Sequence, residues 1–504
     1  MTTHLRVSRR QFLQTVGAAT AGVTLVPRSG FGRTAAAQPL RRDMGRMHFE
    51  ATTLGLGGQA SLQWTANDID SVKIILKAFD LGINYFDTSN KYGPSQMYFG
   101  KAFRELDLIP GQPGYDERRR REIFLTSKTM LRWAKGGWSK DGLINESDGE
   151  HCFHAIDDLK RTLTQVFGDG KGYYPPGAYL DMVLLHNITY AADMEAVFEG
   201  YDKPDPRAED IGALAALLDY RDGTNCTGLN PKEEKLIRHL GFSGHHSPPV
   251  MIEMIQRDER NVFDGMLVAI NANDRQHFNM QYNVIPVAVA KGLGVIGMKV
   301  FADGGMYRKD TEVRPYTPQH VLRNVGSDSL PSRRLVEYAL STPGVGTVII
   351  GTGYISEDPA ACQLQQNLRA TQIAPGELSA TDRQEIEKLA SVPWDGKTNS
   401  FQLPRQDLTP PRDALVRQEM RDGKRVVSLK WQTAFAGDEP ITRYEIWRDR
   451  QMVNQVAFRP QISRKPFEFA DTVNDMTAHT YQIATVDAAS HKAMTDEILV
   501  PAVA

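Results

Sequence analysis

Cysteine is scarce in this chain. Three occur in 504 residues, Cys152, Cys226 and Cys362, far apart and without metal-ligand spacing. That excludes a disulfide framework, leaves room for at most one bridge, and argues against a cysteine-based metal site. An excess of either charge is also lacking, with 59 Lys and Arg against 61 Asp and Glu. A balance this close gives no basic surface for nucleic acid or an anionic membrane. Internal repeats and long low-complexity runs are absent. A strand-coupled G-x-G-x-x-G is missing too: "GLGGQA" (55–60) lacks the third glycine at the needed spacing, which disfavours a doubly wound dinucleotide fold. What remains is a composition ordinary for globular domains, in a chain long enough for two or three.

The first 37 residues read as an export signal rather than as part of a fold. Arg6, Arg9 and Arg10 form a basic start, and "TAAAQ" (34–38) offers small residues for cleavage after Ala37. Between them "TVGAATAGVTLV" (15–26) is too short and too rich in Gly and Ala for a membrane span, which takes about 20 residues. "SRRQFLQ" (8–14) resembles the twin-arginine signal, with Gln14 in place of the usual last Lys. The resemblance implies the twin-arginine export machinery as a partner and a periplasmic or otherwise exported protein. It also implies a tightly bound cofactor loaded before export.

From about residue 45 to 395 strand-like and helix-like runs alternate. Eight short apolar strands are expected: 52–58, 83–87, 122–128, 180–186, 237–243, 265–271, 294–300 and 346–351. Helical patterns lie between most of them, most clearly over 67–82, with Asn67 or Asp68 as the cap and Gly82 as the stop. Near-continuously apolar strands alternating with helices predict buried parallel strands and a closed (β/α)8 TIM barrel, completed by a helix over 379–391. A Pro-rich polar stretch inside 396–413 marks a linker. From 414 to 504 the period changes to two: "RVVSLKWQTA", "ITRYEIWRD", "QMVNQVAF" and "TYQIATVDAAS" predict a small all-β sandwich. With Trp431, Tyr444, Trp447 and a tyrosine-corner position at Tyr481, this segment resembles a fibronectin type III module. The resemblance implies docking, spacing, or contact with a protein or glycan.

In such a barrel, active residues stand at the C-terminal ends of the strands. The second strand ends in Asp87, with Tyr92 in the next loop; the third ends in Lys128 and the fourth in His186. A lysine closing an apolar strand is costly unless paired, and Asp87 is its natural partner. Those four residues, with "GINYFDTSNKYG", "FLTSKT", "DMVLLHN", "HLGFSGH", "GVIGMKVFADG" and "GTVIIGTG", resemble the aldo-keto reductases over about 320 residues. The resemblance implies hydride transfer between NAD or NADP and a small carbonyl or sugar substrate. Tyr92 would be the general acid and base, Lys128 would favour its phenolate, Asp87 would hold Lys128, and His186 would bind the substrate oxygen.

The same resemblance implies a cofactor lying along the rim. Ser243 and Asn271 would hold the nicotinamide amide, Asn271 standing where the family usually has Gln. Met298 takes a position where many members stack an aromatic ring, with Phe301 nearby. Lys299 and Gly304 would serve the pyrophosphate, and Gly351, Thr352 and Gly353 the adenosine phosphate. Gln366 and Asn367 would contact adenine. No basic residue follows the eighth strand in "GTGYISEDPAACQLQQN" (351–367), which favours NAD over NADP. No metal is expected; His245 and His246 read as surface residues without a third ligand.

Long loops at 129–153, 187–210 and 302–330 carry Trp133, Trp138, Tyr190, Tyr201, Tyr307 and Arg308 and would shape the substrate pocket. One alternative is a non-catalytic nicotinamide-binding barrel acting as a sensor or partner subunit. Another, a barrel hydrolase of polysaccharides, would want two carboxylates at strand ends, and only Asp87 is evident.

Overall fold

A computed structural model describes residues 37–137, 143–144, 151–302, 321, 326–392 and 405–503. The twin-arginine motif, Gly304, Trp138, Tyr307 and Arg308 lie outside the described residues.

Eight parallel strands close into a barrel in sequence order: β1 (Leu54–Gly57), β2 (Tyr85–Asp87), β3 (Phe124–Thr129), β4 (Leu180–Leu185), β5 (Ile237–Gly244), β6 (Phe263–Ala269), β7 (Gly294–Met298) and β8 (Val345–Gly351). Each expected strand is present. Two apolar layers explain the runs. Inward residues, among them Tyr85, Phe124, Met182, Leu184, Leu267, Ile296 and Met298, fill the barrel interior. Outward ones, such as Phe86, Leu125, Val183, Phe242 and Val295, pack into a second core with the helices. A strand with both faces buried has no polar face to alternate with.

The helix expected over 67–82 spans Ser71–Asp80. Its cap is Asp70, not Asn67 or Asp68, because the Asp70 carboxylate accepts from the Val72 and Lys73 amides. Gly82 follows at φ +77, where only a left-handed backbone turns the chain into β2. The closing helix is Ala380–Ala390, capped by the Ser379 hydroxyl. Among the described residues no helix is long and apolar enough to cross a membrane.

The barrel is followed by antiparallel sheets. β9 (Arg412–Arg421), β10 (Lys424–Gln432) and β13 (Phe467–Val473) form one in the order β9-β10-β13. β11 (Ile441–Arg448), β12 (Gln451–Ala457), β14 (His479–Asp487), β15 (Lys492–Met494) and β16 (Ile498–Val500) form the other, in which β11 pairs β12 and β14, and β14 pairs β15 and β16. Trp431, Tyr444, Phe467 and Tyr481 are its buried core, with Trp431 stacked on Phe467 at 5.9 Å. The Tyr481 hydroxyl donates to the Asp471 carboxylate at 2.8 Å rather than to the backbone expected of a tyrosine corner. Phe435 and Ile462 pack against the barrel core, and the barrel's Tyr282 packs against the sandwich core.

Gly241 of β5 lies opposite Gly265 of β6, and a side chain has no room between them. A Cβ at Gly241 would fall 2.3 Å from the Gly265 carbonyl oxygen, whereas one at Gly265 would meet the movable Met182 thioether at 2.7 Å. Gly241→Ala is therefore expected to destabilise by about 2–3 kcal/mol and Gly265→Ala by about 1 kcal/mol. Urea unfolding midpoints check this; equal effects would show that the two strands part freely.

Candidate active site

The period of two along each strand places the candidate site. Tyr85, Phe124, Met182, Leu184 and Leu267 point into the barrel. Continuing the same parity, Asp87 follows Tyr85, Lys128 follows Phe124 and Thr126, His186 follows Leu184, and Asn271 follows Leu267 and Ala269. These polar residues take the inward positions at the C-terminal ends of β2, β3, β4 and β6, above the apolar filling. Register fixes their height: Asp87 pairs with Thr126, and Lys128 with Leu184. The His186 amide then donates to the Thr129 carbonyl at 2.8 Å.

The Lys128 ammonium donates to Asp87 Oδ1 at 2.5 Å and to the Thr88 carbonyl at 2.9 Å. Both side chains are essentially withdrawn from water. Burial pushes the Asp87 carboxyl up and the Lys128 ammonium down, and the ion pair opposes both shifts. Asp87 Oδ2 is buried with no hydrogen-bond partner among the described residues, so Lys128 is the main compensation for this charge.

Tyr92 returns over this pair through a tight turn. Its amide donates to the Ser89 carbonyl at 3.0 Å, and its carbonyl accepts from the Ser95 amide at 2.9 Å, where the next helix, Ser95–Glu105, begins. The Lys128 ammonium lies 4.5 Å from the Tyr92 ring centroid. The Tyr92 and His186 rings meet edge to face, centroids 6.0 Å apart. The four residues expected to act together are thus assembled. Gly58 makes space beneath them: a Cβ there would fall 2.5 Å from the Asp87 carbonyl oxygen.

His186 is held well below the ordinary histidine range, first by burial and then by the cations of Lys128, Arg132 and Lys299 and by His245. Its imidazole is therefore neutral at neutral pH. Its Nδ1 is buried without a hydrogen-bond partner among the described residues.

Three residues that sequence reasoning passed over hold this histidine in place. Arg132 donates to the His186 carbonyl at 2.8 Å and the Asn187 carbonyl at 3.1 Å, and pairs with Asp193 at 3.0 Å. Asn187 has a left-handed backbone (φ +56), and its amide donates to Ser243 Oγ at 2.8 Å. Asp193 also accepts from the Thr189 and Tyr190 amides. An aspartate three residues into a helix is a sequence-level capping signal, but its partnership with Arg132, 61 positions away, is not local.

Of the expected cofactor residues, Ser243, Met298 and Gly351 stand at the C-terminal ends of β5, β7 and β8, and Asn271 just beyond β6. Ser243 is buried and engaged with Asn187. Asn271 closes its own turn: Oδ1 accepts from the Asn273 and Asp274 amides, and Nδ2 donates to Asp274 at 2.6 Å and to the Lys299 carbonyl at 3.2 Å. Met298 belongs to the barrel filling. Lys299 is left-handed (φ +59) and donates to Gln59 at 3.2 Å, while Phe301 packs partly buried against the outer core.

At β8 Gly351 pairs with Gly57 of β1. Thr352 Oγ1 is buried without a hydrogen-bond partner among the described residues. The Gly353 and Tyr354 amides both donate to Gln363, a residue not anticipated. Gln366 bonds the Ala360 carbonyl, and Asn367 is buried on the same helix, Gln363–Ala370. Glu357 is paired with Lys77 at 3.4 Å.

Of the expected pocket aromatics, Tyr201 is an anchor: it is buried and donates to Asp258 at 3.1 Å. Tyr190 is exposed, and Trp133 is half-buried with its indole nitrogen withdrawn from water. His245 and His246 lie with ring centroids 6.4 Å apart. The described residues hold no cluster of three or more His, Cys, Asp or Glu arranged for a metal.

Residues 53–165 match the sequence model of a family described as "Aldo/keto reductase family". An uncharacterized oxidoreductase, YqkF, of Bacillus subtilis (strain 168) is 23% identical over 351 residues, covering 66% of this chain and 90% of that protein. A protein of Schizosaccharomyces pombe named "Putative voltage-gated potassium channel subunit beta" is 29% identical over 163 residues, 32% of this chain and 40% of the other. The solved apo structure of an aldo-keto reductase from Bacillus halodurans is 18% identical with a TM-score of 0.40, over 70% of this chain and 96% of that one. Asp87, Tyr92 and Lys128 all lie within the stretch that matches the aldo/keto reductase family model.

Proposed function

We propose that this protein is an exported oxidoreductase of the aldo-keto reductase type, interconverting a small carbonyl or sugar substrate and its alcohol with NAD or NADP. The observation that carries this reading is the Lys128 ammonium, 2.5 Å from Asp87 and 4.5 Å from the centre of the Tyr92 ring, beside a neutral His186. A barrel used only as a scaffold has no need of a buried cation held against a tyrosine.

When bound, a nicotinamide supplies the hydride for the carbonyl carbon. The Tyr92 hydroxyl gives its proton to the carbonyl oxygen, and Lys128 stabilises the phenolate left behind. Asp87 keeps Lys128 charged and aimed. His186, neutral at working pH, donates a hydrogen bond to the same oxygen and orients the carbonyl. In the oxidising direction the Tyr92 phenolate accepts the alcohol proton.

The rim fits a dinucleotide in its donor chemistry. Ser243, Asn271, Met298, Lys299 and Phe301 would hold the nicotinamide half, and Gly351, Thr352, Gly353, Gln366 and Asn367 the adenosine half. Buried polar atoms at His186 and Thr352 that have no hydrogen-bond partner among the described residues support the two ends of this assignment. The lack of any basic residue over 351–367, with Glu357 and Asp358 there instead, favours NAD. The motif at 8–14 supports export of the protein with its cofactor already in place. A second reading, a nicotinamide-binding partner subunit, is favoured by the likeness to a protein named as a channel subunit; it does not account for the assembled Tyr92 and Lys128.

Tyr92→Phe is expected to lower carbonyl reduction by about 10²–10⁴-fold while nicotinamide binding, followed by fluorescence titration, stays near wild type. Unchanged turnover on every aldehyde, ketone and sugar that the wild type reduces would overturn the assignment. Lys128→Met removes the cation that favours the phenolate. The alkaline rise of alcohol oxidation should then move to higher pH by about 1–3 units. A pH–rate profile checks this, and an unmoved profile would exclude Lys128 from tuning Tyr92.

A further inference from the structure

The loop after β6 begins at the active rim and ends under the sandwich. Asn271 ties it to the Lys299 carbonyl on one side and to Asp274 on the other. From Arg275 onward it bonds residues of the C-terminal segment as well as Glu387 and Tyr338 of the barrel. Arg275 donates to the Asp438 carbonyl at 3.1 Å and pairs with the Asp438 carboxylate at 3.4 Å, while also bridging to Glu387 of the barrel's last helix at 2.8 Å. The Gln406 amide donates to the Gln276 carbonyl at 2.8 Å. Asn279 is buried, left-handed (φ +48), and donates to the carbonyls of Ala436 and Gly437. Asn283 is buried and makes a reciprocal pair with Ala436: its Oδ1 accepts from the Ala436 amide at 2.7 Å and its Nδ2 donates to the Ala436 carbonyl at 3.3 Å. The Asn283 amide therefore pairs with the Ala436 peptide as a neighbouring strand would.

These are not the contacts of a tethered accessory module. Asparagine amides buried this deeply lose much more when unpaired than a surface contact does. Contacts away from the rim are present too, as between Arg464 and Glu253 at 2.7 Å, but those do not touch the loop.

Resting on the reading that this rim binds a nicotinamide, we infer that the C-terminal domain is a clamp on residues 271–283. It fixes the turn that carries Asn271 and the backbone of Lys299, and so sets how firmly the cofactor side of the rim is held. Asn279, Asn283 and Arg275 are positioning residues in this role; none is assigned a place in the chemistry.

The test uses the full chain. In the double variant Asn279→Ala/Asn283→Ala, amide hydrogen exchange over 270–276 is expected to rise about tenfold or more. NAD and NADP dissociation constants, each titrated separately, should rise about fivefold or more for whichever dinucleotide the wild type binds. Asp438→Ala removes the carboxylate that pairs with Arg275 and Arg405 and keeps the backbone carbonyl that Arg275 also bonds; it should move both readouts the same way by less, and it decides the matter if the double variant does not fold. Arg464→Ala breaks a barrel–sandwich contact remote from the loop and should leave exchange over 270–276 unchanged. Unaltered exchange over 270–276 in the clamp variants, a rise in Arg464→Ala as large as theirs, or faster exchange with unaltered affinity would each overturn the clamp. If the wild type binds neither dinucleotide, the cofactor reading fails on its own, and exchange still decides whether the sandwich restrains the loop.

Discussion

A lysine and an aspartate share one hydrogen bond at the top of an otherwise apolar column, and the rim is organised around keeping them there. Neither charge reaches water, and removing either partner strands the other at a cost of about 3–5 kcal/mol. The pair ties β2 to β3 across the barrel interior. It needs Gly58 so that β1's end passes close to the Asp87 carbonyl, and the Thr88 carbonyl as second acceptor for Lys128. Tyr92 is placed against this cation by a turn that opens directly into a helix. The field of the same cation helps keep His186 neutral. One electrostatic decision thus sets a tyrosine and an uncharged histidine side by side.

The barrel and its four central residues were legible for a physical reason. Strands buried on both faces show as apolar runs, and a single polar residue closing each run stands out. Asp87, Lys128 and His186 all lie on the inward parity, so the strand ends alone point to this cluster. The helix before β2 was read one turn early because Asn67 and Asp68 can cap as well as Asp70; the structure selects the carboxylate that reaches both the Val72 and Lys73 amides. β9, β13, β15 and β16 were not foreseen. β9, "RDALVRQEMR", is charged along much of its length and half exposed, as a sheet edge is, so its alternation is muted.

What the sequence hid was non-local. Arg132 lies just after β3 and Asp193 in the first turn of the helix Ala191–Phe198, and nothing near either announces that together they fix the His186–Asn187 peptides. Gln363, which takes the Gly353 and Tyr354 amides, hides for the opposite reason: it reads as one more polar residue on a polar helix. Asn271 shows a third kind of concealment. Its place in the family resemblance suggests a ligand contact, and nothing nearby in sequence announces that its amide also ties Asp274 to the Lys299 carbonyl.

The border between barrel and sandwich has a consequence for how such chains can be recombined. Phe435 and Ile462 complete the barrel's packing, and Tyr282 completes the sandwich's. A cut at the Pro-rich joint therefore leaves two fragments, each missing part of its interior and each with an amide or carbonyl that has lost its mate. The sandwich cannot be transplanted onto another barrel, nor this barrel expressed alone, without redesigning the facing surface. Two folds meet here, but they constitute one unit of exchange.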